Sequence, residues 1–383
     1  MGGVAPAAPE AEPAVRVDEL DYELPPALIA QHPVEPRDAA RLLVCRRGSP
    51  KAAAAVEDRR FADLPSLLLP GDLLVRNDTR VLAARTFFRR PTRGRLEVLF
   101  LHAAEVVAEP PLHSARSGLA TSHHAASRER WEVLVRGRPR VGEVLTMDGI
   151  GGAWQLQVVD ELGEGRWLVD SASPEPVLEL LERYGCAPLP PYIRAPLADP
   201  QRYQTIFACR PGSAAAPTAG LHFTKDLDAA LAAAGVETVE LTLHVGLGTF
   251  KPLSTEVLED TRLHSEAFEL PAAAWEHVRQ ARADGRRVVA VGTTMVRLLE
   301  HLAAAAPEPR PDGVLRGRTS LLIAPGHRFR VVDALITNFH LPRTSLLALV
   351  MAFCGVQETK RFYEHAIAAG YRFYSFGDAM LVS

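Results

Sequence analysis

Residues 286–305 read RRVVAVGTTMVRLLEHLAAA, and this stretch decides the fold. A short run rich in valine predicts a buried strand, and the apolar positions after the threonines recur with the helical period. Gly292, Thr293 and Thr294 lie between the two patterns and open the helix directly from the strand. A strand that passes into a helix in this way is typical of an α/β protein.

The same alternation extends over the rest of the chain from residue 176. Strand patterns (VETVELTLHV, SLLIA, VDALITNF, AMLV) alternate with helical patterns (DLDAALAAAG, TSLLALVMAFCG, TKRFYEHAIAAG). We therefore expect helices that flank a largely parallel or mixed sheet. Ligands bind such sheets beyond the carboxyl ends of the strands.

A different pattern fills residues 73–170, where short apolar runs such as RLEVLFL, WEVLVRG and GRWLVD are bounded by glycine or charge. Regular short strands without a helical period predict a small barrel or sandwich. The aperiodic residues 101–131 predict a long hairpin loop, in which we interpret His123 and His124 as solvated. The Ala/Pro-rich residues 1–16 predict a disordered arm.

Composition narrows the class of protein. The chain has 383 residues, 47% of them hydrophobic, a net charge of -3 and four widely spaced cysteines. Two domains are expected at this length, and the cysteine spacing matches no zinc site. We find no apolar run long enough to span a membrane and no export signal, so we expect a soluble cytoplasmic protein.

The first candidate site is PTAGLHFT, residues 217–224. Its small residues, Gly220 among them, let the backbone lie close to a ligand, while Thr218, His222 and Thr224 supply donors and acceptors. A flexible glycine and alanine loop with Thr224 as the N-cap of the next helix is the alternative, and capping is compatible with ligand binding.

Further candidates follow other predicted strands. HVGLGTF contains His244, Gly246, Gly248 and Thr249, a turn too short for a dinucleotide fingerprint. LHSE brings His264 and Glu266 to one face of a strand.

The strand–helix unit quoted first presents Gly292, Thr293 and Thr294 to an anion, with Arg297 as a possible partner of a carboxylate or phosphate. Asn338 and His340 end the strand pattern ALITNF, and Asp378 follows a glycine near the end of the chain.

A basic segment lies between residues 76 and 95, with seven arginines against the single acid Asp78. A local excess of six positive charges attracts phosphate groups. An exposed arginine-rich face without RNA contact is the alternative interpretation.

Taken together, these segments closely resemble the S-adenosylmethionine:tRNA ribosyltransferase-isomerases of queuosine biosynthesis. The similarity runs through YELPPALIAQHP, FADLPSLLLPGDLLVRNDTRV, RYQTIFA, AAPTAGLHFT, TLHVGLGTFKP, VGTTMVR, APGHRF, VDALITNFHLP and YRFYSFGDAM. The resemblance implies an α/β domain that is interrupted by an inserted small β-barrel domain. The change of sequence pattern near residues 70 and 175 places the α/β domain, a mixed sheet with flanking helices, at 17–69 and 175–383 and the barrel domain at 70–174.

The resemblance also implies the reaction. The ribosyl group of S-adenosylmethionine is transferred to 7-aminomethyl-7-deazaguanine in the tRNA anticodon loop and isomerised, which gives epoxyqueuosine and releases adenine and methionine. S-adenosylmethionine is thus a consumed substrate, and no metal or bound cofactor is implied. Besides tRNA and S-adenosylmethionine we expect no partner, so the protein is expected to be a monomer.

That chemistry needs a base near the ribose carbon next to the sulfonium, for which His222, His244 and Asp378 remain open. Glu266 or His264 would deprotonate the acceptor amine, and Arg297 with Thr293 and Thr294 would bind the methionine carboxylate. The tRNA would contact Arg80, Arg85, Arg89 and Arg90. The remaining substrate-binding residues are expected to be Asn77, Asp78, Thr79, Arg80, Thr218, Gly220, Thr224, Gly246, Gly248, Thr249, Gly292, Asn338 and His340.

Several positions depart from the family pattern, among them Arg76, where an aromatic residue is usual, and Arg343, where lysine is usual. These departures leave open a paralogue that uses another acceptor. A non-catalytic RNA- or nucleoside-binding protein on the same scaffold is a second alternative. A methyltransferase is disfavoured because no glycine-rich motif joins a first strand to its helix.

Overall fold

A computed structural model describes residues 15–47, 56–104, 127–148, 153–173, 175–246, 253 and 255–383. The chain forms two units. The first comprises residues 1–78, 191–208 and 217–383, and the second comprises residues 79–190 and 209–216. The predicted arm at residues 1–16 falls almost entirely outside the described residues. Residues 105–126 of the predicted loop also lie outside them.

The first unit is built on a nine-stranded mixed sheet with the order β15-β13-β12-β3-β14-β16-β17-β1-β2. Its four central strands, β12, β3, β14 and β16, are parallel to one another. The strands are β1 Arg41–Cys45, β2 Val56–Arg60, β3 Leu73–Asn77, β12 Glu237–Leu243, β13 Glu266–Pro271, β14 Val288–Val291, β15 Val314–Thr319, β16 Ala334–Asn338 and β17 Ala379–Val382. The predicted sheet type is confirmed.

Helices cover both faces of this sheet. Alternate residues of β3 show this, because Leu73 and Val75 join one buried apolar cluster and Leu74 joins another on the opposite face. A strand buried on both sides reads as a continuous apolar run, as β14 does. The helices are α1 Leu64–Leu67, α3 Lys225–Ala233, α4 Ala272–Ala283, α5 Thr293–Ala305, α6 Ser345–Cys354 and α7 Val356–Ala368.

The second unit contains a closed six-stranded barrel with the order β10-β7-β6-β5-β8-β9. Its core holds Trp154, whose ring lies 5.3 Å from that of Phe88 and whose indole N–H donates to Ser171 Oγ at 2.9 Å. The elements are β4 Thr79–Val81, β5 Arg85–Arg89, β6 Arg95–Ala103, β7 Ser127–Arg136, β8 Val144–Met147, β9 Gln155–Gly163, β10 Arg166–Ser173, α2 Val177–Tyr184 and β11 Arg210–Ser213. The predicted barrel is confirmed.

The structure moves both predicted domain boundaries. We expected the barrel domain to begin at residue 70, but β3 pairs with β12 and β14 inside the large sheet, so the first unit continues to Asp78. We expected it to end at residue 174, yet α2 belongs to the second unit, where the backbone of Val177 donates to Glu129 of β7. Patterns of apolar residues identify strands and helices but do not say which sheet a strand joins.

One strand assignment also differs. Residues 320–324, SLLIA, are not a strand, and the strand in this region is the earlier β15. No helix among the described residues is both long enough and apolar enough to cross a membrane.

Candidate active site

The carboxyl ends of the four parallel strands meet at one edge of the large sheet. Asn77 ends β3, His244 follows β12, Gly292 follows β14, and Asn338 ends β16. Because β13 runs antiparallel to β12, its first residue, Glu266, lies at the same edge. The structure therefore brings together residues that the sequence could place only at separate strand ends.

Glu266 and Arg297 form a buried ion pair at this edge. Glu266 Oε2 lies 2.5 Å from Arg297 Nη1, and each residue is only 4% exposed. The other carboxylate oxygen accepts from the backbone N–H of Gly246 at 3.1 Å, while Arg297 Nε donates to the carbonyl of Leu321 at 2.9 Å. Glu266 thus fixes both Arg297 and the turn after β12. A carboxylate occupied in this way is poorly suited to the predicted role of a base.

The amino terminus of α5 provides donors beside this pair. Gly292 has φ +87° and ψ 152°, a conformation that residues with a side chain rarely adopt. Its backbone N–H donates to Ile336 at 2.7 Å and fixes the turn against β16. Within the described residues, Thr294 Oγ1 and Arg297 Nη2 are buried without a hydrogen-bond partner. Thr294 and Arg297 lie three positions apart, on one face of the helix, near its amino terminus.

Asn77 and Asp78 connect the end of β3 to the end of β12. Asn77 Nδ2 donates to the carbonyl of Leu243 at 2.9 Å and its Oδ1 accepts from the Leu243 N–H at 3.2 Å. Thr242 Oγ1 donates to Asp78 at 2.6 Å. These bonds hold the chain just before His244. Burial lowers the pKa of half-buried His244, and the negative charges of Asp78 and Glu269 partly offset that effect.

His222 lies in a packed turn, not in the flexible loop of the alternative interpretation. Gly220 is pressed against its neighbours so closely that a Cβ there would lie 2.9 Å from Phe207 and from Thr205. The ring of His222 stacks on Phe61, and its Nε2 lies 3.3 Å from Asn338 Nδ2. Burial, and then the charges of nearby arginines, lower its pKa to about 3. His222 is therefore neutral at neutral pH and a weak base.

Asp378 and His340 have partners of their own. Asp378 accepts from the backbone N–H groups of Arg41 at 3.0 Å and Arg372 at 2.8 Å. His340 Nε2 lies 2.8 Å from Thr337 Oγ1, and burial lowers the pKa of its ring to about 3. Asp378 and His340 are thus both engaged in hydrogen bonds within the protein. These bonds argue against the base predicted at Asp378 and against the substrate contact predicted at His340.

Among the remaining predicted site residues, one has a structural role and the others differ in burial and location. Thr224 is the N-cap of α3, as expected, and accepts from the Leu227 N–H at 3.1 Å. Thr218 is half-buried, His264 is exposed, and Thr79 belongs to the second unit. Gly248 and Thr249 lie outside the described residues.

The predicted excess of six arginine charges does not form one free surface. In the second unit, Arg89 pairs with Asp148 and Arg90 with Glu143, each through two short hydrogen bonds. Arg80 remains exposed, and its guanidinium is 3.9 Å from Glu182.

Arg76 differs from these arginines because it is buried in the first unit, where it pairs with Asp228 and Glu240. Its guanidinium also lies 4.2 Å from the ring of Phe207. Arg80 is therefore the better candidate for RNA contact. Arg85 is half-buried, and its Nε is buried without a hydrogen-bond partner among the described residues.

Three arginines that were not predicted from the sequence lie beside His222. Arg37, Arg202 and Arg372 line a small cavity with this histidine. Each lies in or next to a segment that carries the family resemblance, and that position was the available signal. An isolated arginine in a sequence gives no indication that two others lie beside it.

The fold and the site define a class of protein, an α/β enzyme whose site lies at the carboxyl edge of a mixed sheet and whose chain also forms a six-stranded barrel. A model of the queuosine biosynthesis protein family matches residues 17–382. The chain belongs to this family, as its sequence predicts.

Curated relatives support the same assignment. The chain is 45% identical over 378 residues to an S-adenosylmethionine:tRNA ribosyltransferase-isomerase of Nitrosospira multiformis, with 96% of this chain and 98% of the relative covered. It is 46% identical over 376 residues to one of Moorella thermoacetica, with 96% and 100% covered. The crystal structure of S-adenosylmethionine tRNA ribosyltransferase from Thermotoga maritima is 32% identical, with a TM-score of 0.52 and coverage of 95% and 100%.

Proposed function

We propose that this protein is an S-adenosylmethionine:tRNA ribosyltransferase-isomerase that acts in the cytoplasm. It transfers and isomerises the ribosyl group of S-adenosylmethionine onto 7-aminomethyl-7-deazaguanine in tRNA, with release of adenine and methionine. S-adenosylmethionine is consumed as a substrate, and no bound cofactor takes part. The observation that carries this proposal is the convergence of His244, the Glu266–Arg297 pair and the start of α5 at one sheet edge, in a chain that belongs to the family.

The start of α5 binds the methionine carboxylate. A carboxylate suits this position because the helix dipole and the first backbone amides favour negative charge. Thr294 Oγ1 and Arg297 Nη2 supply two further donors that have no partner among the described residues. Glu266 holds the guanidinium in place through its other nitrogen, Nη1.

His244 is the base that removes the proton from the ribose carbon attached to sulfur. It lies at the sheet edge and is only half-buried, and its lowered pKa keeps the ring neutral at neutral pH. Glu266 and Asp378 are held by their own donors, and His222 is a weak base because of its burial. Of the four predicted catalytic residues, His244 best combines partial exposure with a ring that is neutral at neutral pH.

His264 accepts the proton of the acceptor amine. It is exposed and lies two residues before Glu266, close to the same edge of the sheet. Glu266, the alternative, is occupied by Arg297. In the second unit, Arg80 contacts the tRNA backbone, where arginine binds phosphate oxygens without reading the sequence.

Incubation with S-adenosylmethionine and tRNA that carries the 7-deazaguanine precursor tests the activity. We expect free adenine, free methionine and epoxyqueuosine in the nucleoside mass spectrum. S-adenosylhomocysteine as the product would indicate methyl transfer. Adenine without the modified nucleoside would indicate another acceptor, and no turnover would indicate a binding protein.

A further inference from the structure

A small cavity beside His222 has walls that are unusually rich in positive charge. Arg37, Arg202 and Arg372 line it together with His222 and Ser375. Its volume is about 20 Å³. A cavity of about 10–15 Å³ holds one water molecule. The cavity beside His222 therefore admits one or two oxygen-sized atoms of a larger group, and it excludes a nucleobase.

The carboxylates around the cavity balance these charges poorly. Arg37 forms no ion pair within the described part of the chain and is held by the carbonyl groups of Gln201, Gln204 and Leu221. Arg202 lies 3.0 Å from Glu35, whose side chain is 73% exposed and hence strongly screened. These two arginines keep their fixed places through backbone contacts and retain much of their positive charge.

Arg372 carries the most specific signal. Its Nη1 donates to the carbonyl of His32, but its Nη2 is buried and has no hydrogen-bond partner among the described residues. The nearest carboxylate oxygen, on Asp378, lies 3.6 Å from Nη2. A buried charged donor that lacks a hydrogen-bond acceptor is costly. Arg372 Nη2 is therefore suited to bind an acceptor from a ligand.

Arg37 and Arg202 also repel each other. Burial, followed by the charge of Arg202, lowers the pKa of Arg37. Burial, and then the charges of all three arginines, lower the pKa of His222, which keeps this wall of the cavity neutral. A bound anion would relieve the repulsion and supply the missing acceptor, and planar guanidinium groups suit the oxygens of phosphate and carboxylate.

We propose that Arg37, Arg202 and Arg372 form an oxyanion pocket that binds one negatively charged group of a substrate. The inference rests on the proposed function for the identity of that substrate. A phosphodiester group of the tRNA and the carboxylate of S-adenosylmethionine share the required chemistry. Because the start of α5 is assigned to the methionine carboxylate, the phosphodiester group is the expected ligand. Asp378 acts here as a positioning residue, because it holds the backbone of Arg372.

Arg372→Gln and Arg202→Gln test the pocket, with Arg279→Gln as the matched control. Arg279 is an exposed arginine of α4 that pairs with Glu276 away from this cavity. If the pocket binds a tRNA phosphate, each test variant raises the tRNA KM about tenfold, the loss expected for one charge-assisted hydrogen bond. The salt dependence of kcat/KM for tRNA also weakens by about one phosphate contact, which a purely structural defect would not cause.

A rise in the KM for S-adenosylmethionine, with an unchanged salt dependence for tRNA, would support the pocket but identify the methionine carboxylate as its ligand. It would then contradict the binding of that carboxylate at the start of α5. If both test variants fold like the wild type by circular dichroism and neither KM changes, the proposal is overturned. Arg372→Lys keeps the positive charge but loses the planar guanidinium with its paired donors. It should therefore recover only part of the affinity that Arg372→Gln loses.

Binding of inorganic phosphate gives a readout that does not depend on activity. A ligand that binds the native state raises the Tm with its concentration. Millimolar phosphate should raise the Tm of the wild type and of Arg279→Gln more than that of Arg372→Gln. Equal shifts in all three proteins would overturn the pocket even if the enzyme proved active. A selective shift in a protein without turnover would support the pocket and contradict only the proposed reaction.

Discussion

The carboxylate of Glu266 lies 2.5 Å from the guanidinium of Arg297, and both side chains are almost completely buried. A buried pair of this kind is costly to break because the remaining partner keeps an uncompensated charge. We therefore predict that Glu266→Leu lowers the free energy of unfolding by about 3 kcal/mol, as measured by urea denaturation. The double substitution with Arg297→Leu should recover most of this loss but leave the enzyme inactive. Equal destabilisation in both variants would contradict the prediction.

Gly292 is predicted to tolerate no side chain without loss of activity. The space around it is adequate, since a Cβ would lie 3.5 Å from Thr294 Oγ1, but φ is +87° and ψ is 152°. If the backbone of Gly292→Ala keeps this conformation, the substitution should lower the free energy of unfolding by about 1–3 kcal/mol. If the backbone relaxes instead, the start of α5 should shift and the KM for S-adenosylmethionine should rise. Gly285→Ala is the matched control, because Gly285 also has a positive φ, +73°, with open space around it. It should cost about 1 kcal/mol and leave the KM unchanged.

The lowered pKa of His222 makes stability depend on pH. Its pKa is about 3 in the folded chain against 6.5 in the unfolded chain, so between these values the unfolded state binds the extra proton. The stability that depends on a neutral His222 is fully present above pH 6.5 and is lost as the pH falls towards 3. His222→Gln should therefore reduce the loss of stability between pH 6.5 and 4 by about 3 kcal/mol. Parallel pH profiles from urea unfolding of the two proteins would refute this. His340 keeps its own pH dependence in both.

The elements of the fold could be predicted from the sequence to a large extent, because period and turn residues are local properties. The strand β14 and helix α5 begin and end close to where the pattern puts them. The location of β3 could not be predicted, because Leu73–Asn77 would suit a barrel or a central strand equally well, and pairing with β12 and β14 depends on distant residues.

The same distinction applies to the site. The sequence identifies residues whose side chains are capable of catalysis, but their partners in the fold decide whether those side chains are available for it. Glu266 and Asp378 both look like bases in the sequence, and both are held by donors from other parts of the chain. The pairs Arg89–Asp148 and Arg90–Glu143 similarly neutralise charges that the sequence presents as a basic segment.

Arg80 is predicted to contact tRNA, whereas Arg89 is not. Arg80→Gln should raise the tRNA KM and reduce the salt dependence of kcat/KM by about one phosphate contact, with little change for S-adenosylmethionine. The double variant Arg89→Gln with Asp148→Asn is the control, because it removes a complete ion pair without altering the net charge. If the double variant weakens tRNA binding as much as Arg80→Gln does, the assignment of Arg80 is wrong.

His244 is predicted to be the base that acts on the ribose, and this role has a direct isotopic test. The sulfonium acidifies the ribose carbon bound to it, so a reversible base exchanges its hydrogen with solvent. In D₂O, the wild type with S-adenosylmethionine and tRNA should introduce deuterium at that carbon. His244→Asn should slow this exchange by about a hundredfold or more, the usual contribution of general base catalysis. His264→Asn should slow formation of the product but retain the exchange, because His264 acts on the acceptor amine.

Below pH 6.5, kcat/KM of the wild type should fall as His244 is protonated, since burial places its pKa below that value. Full exchange in His244→Asn would assign the proton transfer to another group.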